Sequence, residues 1–302
     1  MKKNDKFIVW GLKTKKHSHR HIHYGFYRNL IDMGYASKWL DDSNSINESS
    51  IRNSKILVSG MASRYFPIHS SNSYIFHNFE PTEEQRIALE KEKPNFLKLQ
   101  VFTKSSNGAV IDNLKNVLYD EKSNTLYQPW GTPIRENSWK RSVPNNYSNF
   151  EYWIGSIWNN SLGQGNSDVI ANYVKVLKSF GIKFRRINRS RWSLAGISEE
   201  KASNFIYRSR IAATIVGNWQ RENYYYPCRL FKNLSSGRPI VSNLNAQEVF
   251  GSSCLFDKDL STLIETSINE SFVAKTDRLL DAQNILREFT YEAAIKRIIS
   301  VL

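Results

Sequence analysis

Short apolar runs alternate with amphipathic stretches along almost the whole of this chain, and that alternation limits the fold more than any other feature of the sequence. Lys6–Leu12 (KFIVWGL) reads as a buried strand. After a His-rich loop, Ile22, Phe26, Leu30 and Met33 fall on one face of a helix over His21–Met33, which Gly34 ends. Tyr35–Leu40 is a second strand, and Lys55–Ser59, Ser73–His77, Phe96–Phe102 and Thr125–Pro129 continue the series, with a charged helix over Pro81–Lys93. Strands of one direction need crossovers long enough to hold a helix, so the pattern predicts an α/β, doubly wound, mainly parallel sheet.

The series is interrupted once and then resumes. Arg135–Asn149 is polar, rich in Asn and Pro and without periodicity, and reads as a linker. Beyond it come strand Glu151–Ile157, helix Ser167–Phe180, strand Ile182–Ile187 and helix Ser198–Arg208. Strand Ile211–Val216, helix Arg229–Ser236, strands Pro239–Ser242 and Ser253–Phe256, and helix Leu260–Ser267 follow. Thr276–Val301 is predicted as one long terminal helix. The organisation expected is two Rossmann-like domains facing a cleft, residues 1–148 and 149–275, closed by a helix over 276–302.

Charge and composition narrow the function. Lys and Arg exceed Asp and Glu by 14, so anionic partners are expected: nucleotide phosphates, lipid headgroups or nucleic acid. Cys228 and Cys254 are the two cysteines, which excludes a disulfide scaffold and a cysteine zinc cage. No apolar run approaches 18 residues, and the first residues lead straight into a strand, so the expectation is a soluble, cytoplasmic protein. Two basic clusters, Lys13–Lys16 with Arg20 and Arg185-Arg186 with Arg189 and Arg191, fit peripheral contact with an anionic membrane.

In open α/β sheets, anions bind beyond the carboxyl ends of the strands, at glycine turns and helix N-termini. Three segments have that layout: His17–Gly25, Gly155–Asn166 and Gly217–Arg229. On the second, Gly163 and Gly165 let backbone approach a phosphate and Asn166 is placed to cap the next helix. The third opens a helix carrying Arg229 and Lys232. Gly163-Gln-Gly165 begins a dinucleotide fingerprint, but its third glycine position holds Asp168, and the chain has no GxxxxGK[ST], so neither a nicotinamide site nor a P-loop is indicated.

Arg229, Phe231, Leu234, Gly237, Pro239, Ile240, Val241 and Ser242 form an R-x-F-x-x-L-x-x-G-x-P-[IV]-[IV]-S pattern, and Thr290, Tyr291 and Arg297 lie in the final helical stretch. Through these residues the chain resembles the carboxyl-terminal domain of GT-B glycosyltransferases. The likeness extends loosely to His21–Gly34 and to the Tyr152–Ser156 entry. It implies transfer of a sugar from a nucleotide-sugar donor to a glycan or lipid-linked acceptor, with no cofactor and no metal. Ser156, Gln164, Gly165, Asn166, Gln220, Arg229, Lys232, Asn245, Gln247 and Glu248 are then donor-binding candidates, with Glu248 and the Asn245–Gln247 segment near the sugar or ribose. Many retaining members carry two glutamates eight residues apart; here Tyr224 and Lys232 occupy those positions, and Glu222 is the nearest carboxylate.

His17, His19, His21 and His23 alternate along the first loop with no local carboxylate or thiolate, which weighs against a metal. His21 and His23, nearest the helix, are the candidates for general base. Asp257-Lys-Asp259 spells a metal–diphosphate motif of another glycosyltransferase fold, but just before a helix it reads as a cap. Two other functions stay open: a GT-B-like sugar-nucleotide epimerase and a basic nucleic-acid-binding protein.

Overall fold

A computed structural model describes residues 5–13, 20–41, 46–59, 65–77, 81–101, 118–187 and 197–302. Lys15, Lys16, His17, His19, Arg189, Arg191 and Trp192 lie outside them. The chain divides into two units. Of the described residues, those up to 101, 118–128 and 291–302 form the first, and 129–290 the second. The division therefore falls at Gln128 and Thr290 rather than near 148 and 275.

The first unit is built on strands β1 (Lys6–Trp10), β2 (Ala36–Leu40), β3 (Ser54–Ser59), β4 (Ser73–His77), β5 (Asn95–Gln100), β6 (Leu118–Asp120) and β7 (Thr125–Tyr127). Their order among the described residues is β2-β1-β3-β4-β5-β7-β6, and all pairs are parallel except β6 with β7. Phe7 to Trp10 and Ile56 to Ser59 are buried without alternation, as strands covered on both faces must be. On one face Ile8, Trp10, Ile56, Val58, Tyr74 and Phe76 pack together. Helix α1 (Arg20–Asp32) lies between β1 and β2 in sequence, and Gly34, at φ +86°, ends it: Tyr35 N donates back to Leu30 O. Helix α2 (Glu83–Glu92) starts in a reciprocal cap of Thr82 and Gln85.

In the second unit, β8 (Phe150–Trp153) pairs in parallel with β9 (Lys183–Arg186) through helix α3 (Ser167–Ser179). Helices α4 (Glu199–Arg208), α5 (Asn218–Glu222) and α6 (Cys228–Ser235) follow. Then β10 (Ile240–Ser242), α7 (Gln247–Phe250), β11 (Cys254–Phe256), α8 (Leu260–Asn269) and α9 (Phe272–Leu286) complete the unit, with β10 parallel to β11.

Three expectations are corrected here. The predicted strand Ile211–Val216 does lie between the two pairs, where Arg210 N donates to Phe150 O and Thr214 N to Val241 O. Its ladder shrinks to one bridge, Thr214 with Ser242, because the N–H groups of Ile211, Ala212 and Ala213 turn to the Glu151 carboxylate and Ala212 takes φ +61°. The predicted linker Arg135–Asn149 is packed onto the second unit, with Trp139 and Val143 in its core and Lys140 N bonded to Ser235 O. The single terminal helix Thr276–Val301 is two: α9 ends at Leu286, and α10 (Tyr291–Val301) belongs to the first unit, where it packs against α1. Phe289 causes the break. Its ring is wholly buried against Phe231 and Phe250, and its carbonyl accepts from Thr132 N, so it is not free to continue a helical ladder.

Candidate functional site

The candidate site gathers at the carboxyl end of β8. That strand reads Phe-Glu-Tyr-Trp, and its alternation turns Glu151 and Trp153 inward. A wholly buried carboxylate needs partners to offset its lost hydration, and Glu151 has four. Its Oε2 accepts from Ser209 Oγ at 2.7 Å, Ile211 N at 2.9 Å and Ala212 N at 3.0 Å, and its Oε1 from Ala213 N at 3.0 Å. This residue escaped the sequence reading. An acidic residue inside an apolar strand was the available signal.

Next to it, the Arg229 guanidinium stacks 3.5 Å from the centroid of the Trp153 ring and donates to Ile154 O. Gly155 makes room: a side chain there would meet the guanidinium at 3.3 Å, on a backbone at φ +146°. Burial pulls the Arg229 pKa down to about 10, against the opposing pull of Glu151 and Tyr173. It remains a cation at neutral pH.

Arg229 stands in the first turn of α6, whose cap is Pro227. That cap supplies no side-chain hydrogen bond, and the first turn carries no acidic residue. A helix start of this kind offers backbone N–H groups and a positive dipole end to an anion. The adjoining loops are held by backbone contact. A Cβ on Gly217 would fall 1.9 Å from Gly165 O, and one on Gly165 would fall 2.0 Å from Trp158 O. Both positions demand glycine for chain-to-chain approach, whereas Gly163, at φ +66° with open space around it, is a turn glycine.

Several donor-binding candidates brace these loops. Asn166 does not cap α3 with its side chain; its Oδ1 accepts from Trp158 N and its Nδ2 donates to Ser156 O. Gln164 Oε1 accepts from Asn160 Nδ2, and Gln220 Oε1 from Gly217 N. Ser156 and Glu222 are exposed. Lys232 is in the last turn of α6, not its first, and is paired with Glu199 at 3.4 Å, so it does not share the Arg229 end of the helix. Beyond β10, Asn245 Oδ1 accepts from Gln247 N, Asn245 O accepts from Tyr226 Oη, and Gln247 Nε2 reaches Cys254 O. Glu248 is exposed on the first turn of α7, and its charge adds to the burial that raises the Tyr226 pKa.

His21 and His23 belong to the first unit. His23 is wholly buried in α1, with Nδ1 3.1 Å from Gly11 O, and His21 is half-buried. Asp259 caps α8 through Thr262 N, and Asp257 accepts from Asp259 N. Among the described residues no three His, Cys, Asp or Glu are grouped to hold a metal.

No protein-family model matches the sequence, and no curated protein matches it. Solved structures do. Trehalose-6-phosphate from E. coli bound with UDP-2-fluoro glucose aligns over 98% of both chains with a TM-score of 0.54 and 10% identity. The alpha,alpha-trehalose 6-phosphate synthase of Burkholderia multivorans aligns over 99% of this chain and 98% of its own at 0.49 and 9%. The glycosyltransferase SnogD of Streptomyces nogalater aligns over 99% of each at 0.44 and 10%. At such identities likeness speaks for the fold, and the first carries it: the chain has an α/β, mostly parallel, GT-B-like fold.

Proposed function

We propose that this protein is a glycosyltransferase that moves a sugar from a nucleotide-sugar donor to a glycan or lipid-linked acceptor without a metal. The observation that carries the reading is the start of α6, where Arg229 on the Trp153 ring stands in a first helical turn that contains no acidic residue. A fold shared with a protein bound to UDP-2-fluoro glucose supports it.

In the proposed reaction the bond between the anomeric carbon and the diphosphate oxygen breaks as the acceptor oxygen bonds to that carbon. Negative charge grows on the leaving diphosphate, and Arg229 with the α6 dipole stabilises it, the task a metal performs elsewhere. Glu248, Asn245 and Gln247 supply acceptors and donors for ribose or sugar hydroxyls. The acceptor proton passes to a base, for which His21 is the first candidate and His23 the second, since the His23 ring is already held at Gly11 O. In a retaining reaction the leaving phosphate takes that proton instead. Glu222 stays as the acidic candidate beside α6.

Hydrolysis or transfer from a panel of UDP-, GDP-, CMP- and dTDP-sugars tests the reading. Release of nucleotide from one of them, accelerated by an added glycan acceptor, is the result expected; no turnover of any would overturn it.

A further inference from the structure

Two features of the β9 edge and of the loop that leaves β8, its cations and its exposed apolar side chains, are given no part in sugar transfer above. The first is charge. β9 lies at the edge of its sheet among the described residues, and Lys183, Arg185 and Arg186 on it are exposed and form no ion pair there. The second is an apolar loop tip. Residues 155–166 leave the carboxyl end of β8, which is level with that of β9: Trp153 pairs with Arg186, and Ile187 N donates to Trp153 O. On that loop Trp158 is 40% and Leu162 73% exposed.

The tip is presented by a braced backbone. Asn160 Oδ1 accepts from Leu162 N and Gln164 N, Asn159 Oδ1 from Gly165 N, and Asn166 Oδ1 from Trp158 N. A loop free to collapse would bury Leu162; this one is held in a shape that does not. An exposed tryptophan and an exposed aliphatic side chain on a loop that leaves the strand end paired with Arg186, with Arg185 and Lys183 farther back along the same edge strand, have the composition of a membrane-interface contact, where the ring sits at headgroup level and the cations meet anionic lipid. Single-stranded nucleic acid is bound instead by aromatic faces interleaved with cations along a groove, and an exposed leucine at the tip serves no such purpose.

We propose that the β9 edge and the 155–166 loop of the second unit dock on an anionic lipid bilayer, with Trp158 and Leu162 entering the headgroup region and Lys183, Arg185 and Arg186 facing lipid phosphates. The proposal goes beyond the transferase reading and does not depend on it. Among the described residues no helix is long and apolar enough to cross a membrane.

Flotation with vesicles of phosphatidylcholine, alone or mixed with phosphatidylglycerol, tests it. The protein floats with the anionic vesicles only and is released by salt. Replacing Lys183, Arg185 and Arg186 together by Gln lowers partition roughly a hundredfold, about fivefold for each cation, with an unchanged melting temperature. Brominated lipid in the anionic vesicles quenches part of the tryptophan fluorescence, and Trp158→Phe removes that part. No flotation, flotation of the triple variant at the level of the parent, or quenching that persists in Trp158→Phe overturns the proposal. Retention on RNA that the triple variant loses, without flotation, overturns it as well. If the triple variant does not fold, loss of bromolipid quenching in Leu162→Ser supports the proposal and unchanged quenching defeats it.

Discussion

Arg229 is partly enclosed by the ring of Trp153 and bonded to Ile154 O, and still belongs to a first helical turn that contains no acidic residue. Its position was legible in the sequence: a cation was expected on the first helical turn after the Gly217 loop, and Arg229 stands in the first turn of α6. The pairing of Lys232, three residues on, was not legible, since only the folded chain brings Glu199 to it. Asn166 has the residue type and position of a cap, but the backbone of its own loop claims the side chain. Glu151 defines the turn at Ala212, and replacing it by Gln sets an amide donor against backbone donors. The expected loss is at least about 2 kcal/mol of stability, from buried N–H groups left unpaired, measured by urea denaturation; a change under about 0.5 kcal/mol would show that the turn stands without the carboxylate. Gly217→Ala pushes a methyl group into Gly165 O and is expected to destabilise by about 1–3 kcal/mol, read as a lowered melting temperature. Thiol labelling separates the two cysteines. Burial pushes the Cys254 thiol up to about 11 and keeps it protonated, while half-buried Cys228 starts α6. Cys228 therefore reacts first with a thiol reagent, and a bound nucleotide slows it; labelling of Cys254 at the same rate would contradict this packing.

At the scale of elements, β1, β3, β4 and α1 were legible because each carries its own period and its own stop. Gly34 is an example: the turn it makes needs a positive φ, so helix and terminator are written side by side. The break between α9 and α10 is not written that way. Residues 276–301 keep a helical period throughout, and what interrupts them is a distant demand, the Phe289 ring in a pocket made by Phe231 and Phe250 with Thr132 on its carbonyl. Phe289→Ala is expected to cost about 3–5 kcal/mol, the range for emptying a buried aromatic site. A melting curve within a degree of the parent would mean that this turn is not an anchor. Segment 211–216 was misread for a related reason, since its apolar residues report burial, and only Glu151 decides that their N–H groups leave the ladder.

At the scale of the whole molecule, the chain leaves the first unit after Gln128 and returns to it at Tyr291. Composition could not show this, because the polar segment 135–149 resembles a linker while its Trp139 and Val143 are core. The charge excess of 14 is the ground for expecting anionic ligands, and the α6 start and the β9 edge are the two places proposed for them. If the leaving diphosphate is stabilised by Arg229 and the helix, transfer continues in EDTA; loss of transfer with chelator, restored by Mn²⁺, would assign that task to a metal. The central claim is tested most directly by calorimetric titration of nucleoside diphosphates (UDP, GDP, CDP and dTDP) into the parent protein and into Arg229→Ala. The account predicts that at least one binds the parent and that the variant binds it about 10- to 150-fold more weakly, the equivalent of ~1.5–3 kcal/mol for a charged hydrogen bond. No binding by any of the four, or equal affinity in a folded Arg229→Ala protein, would contradict it.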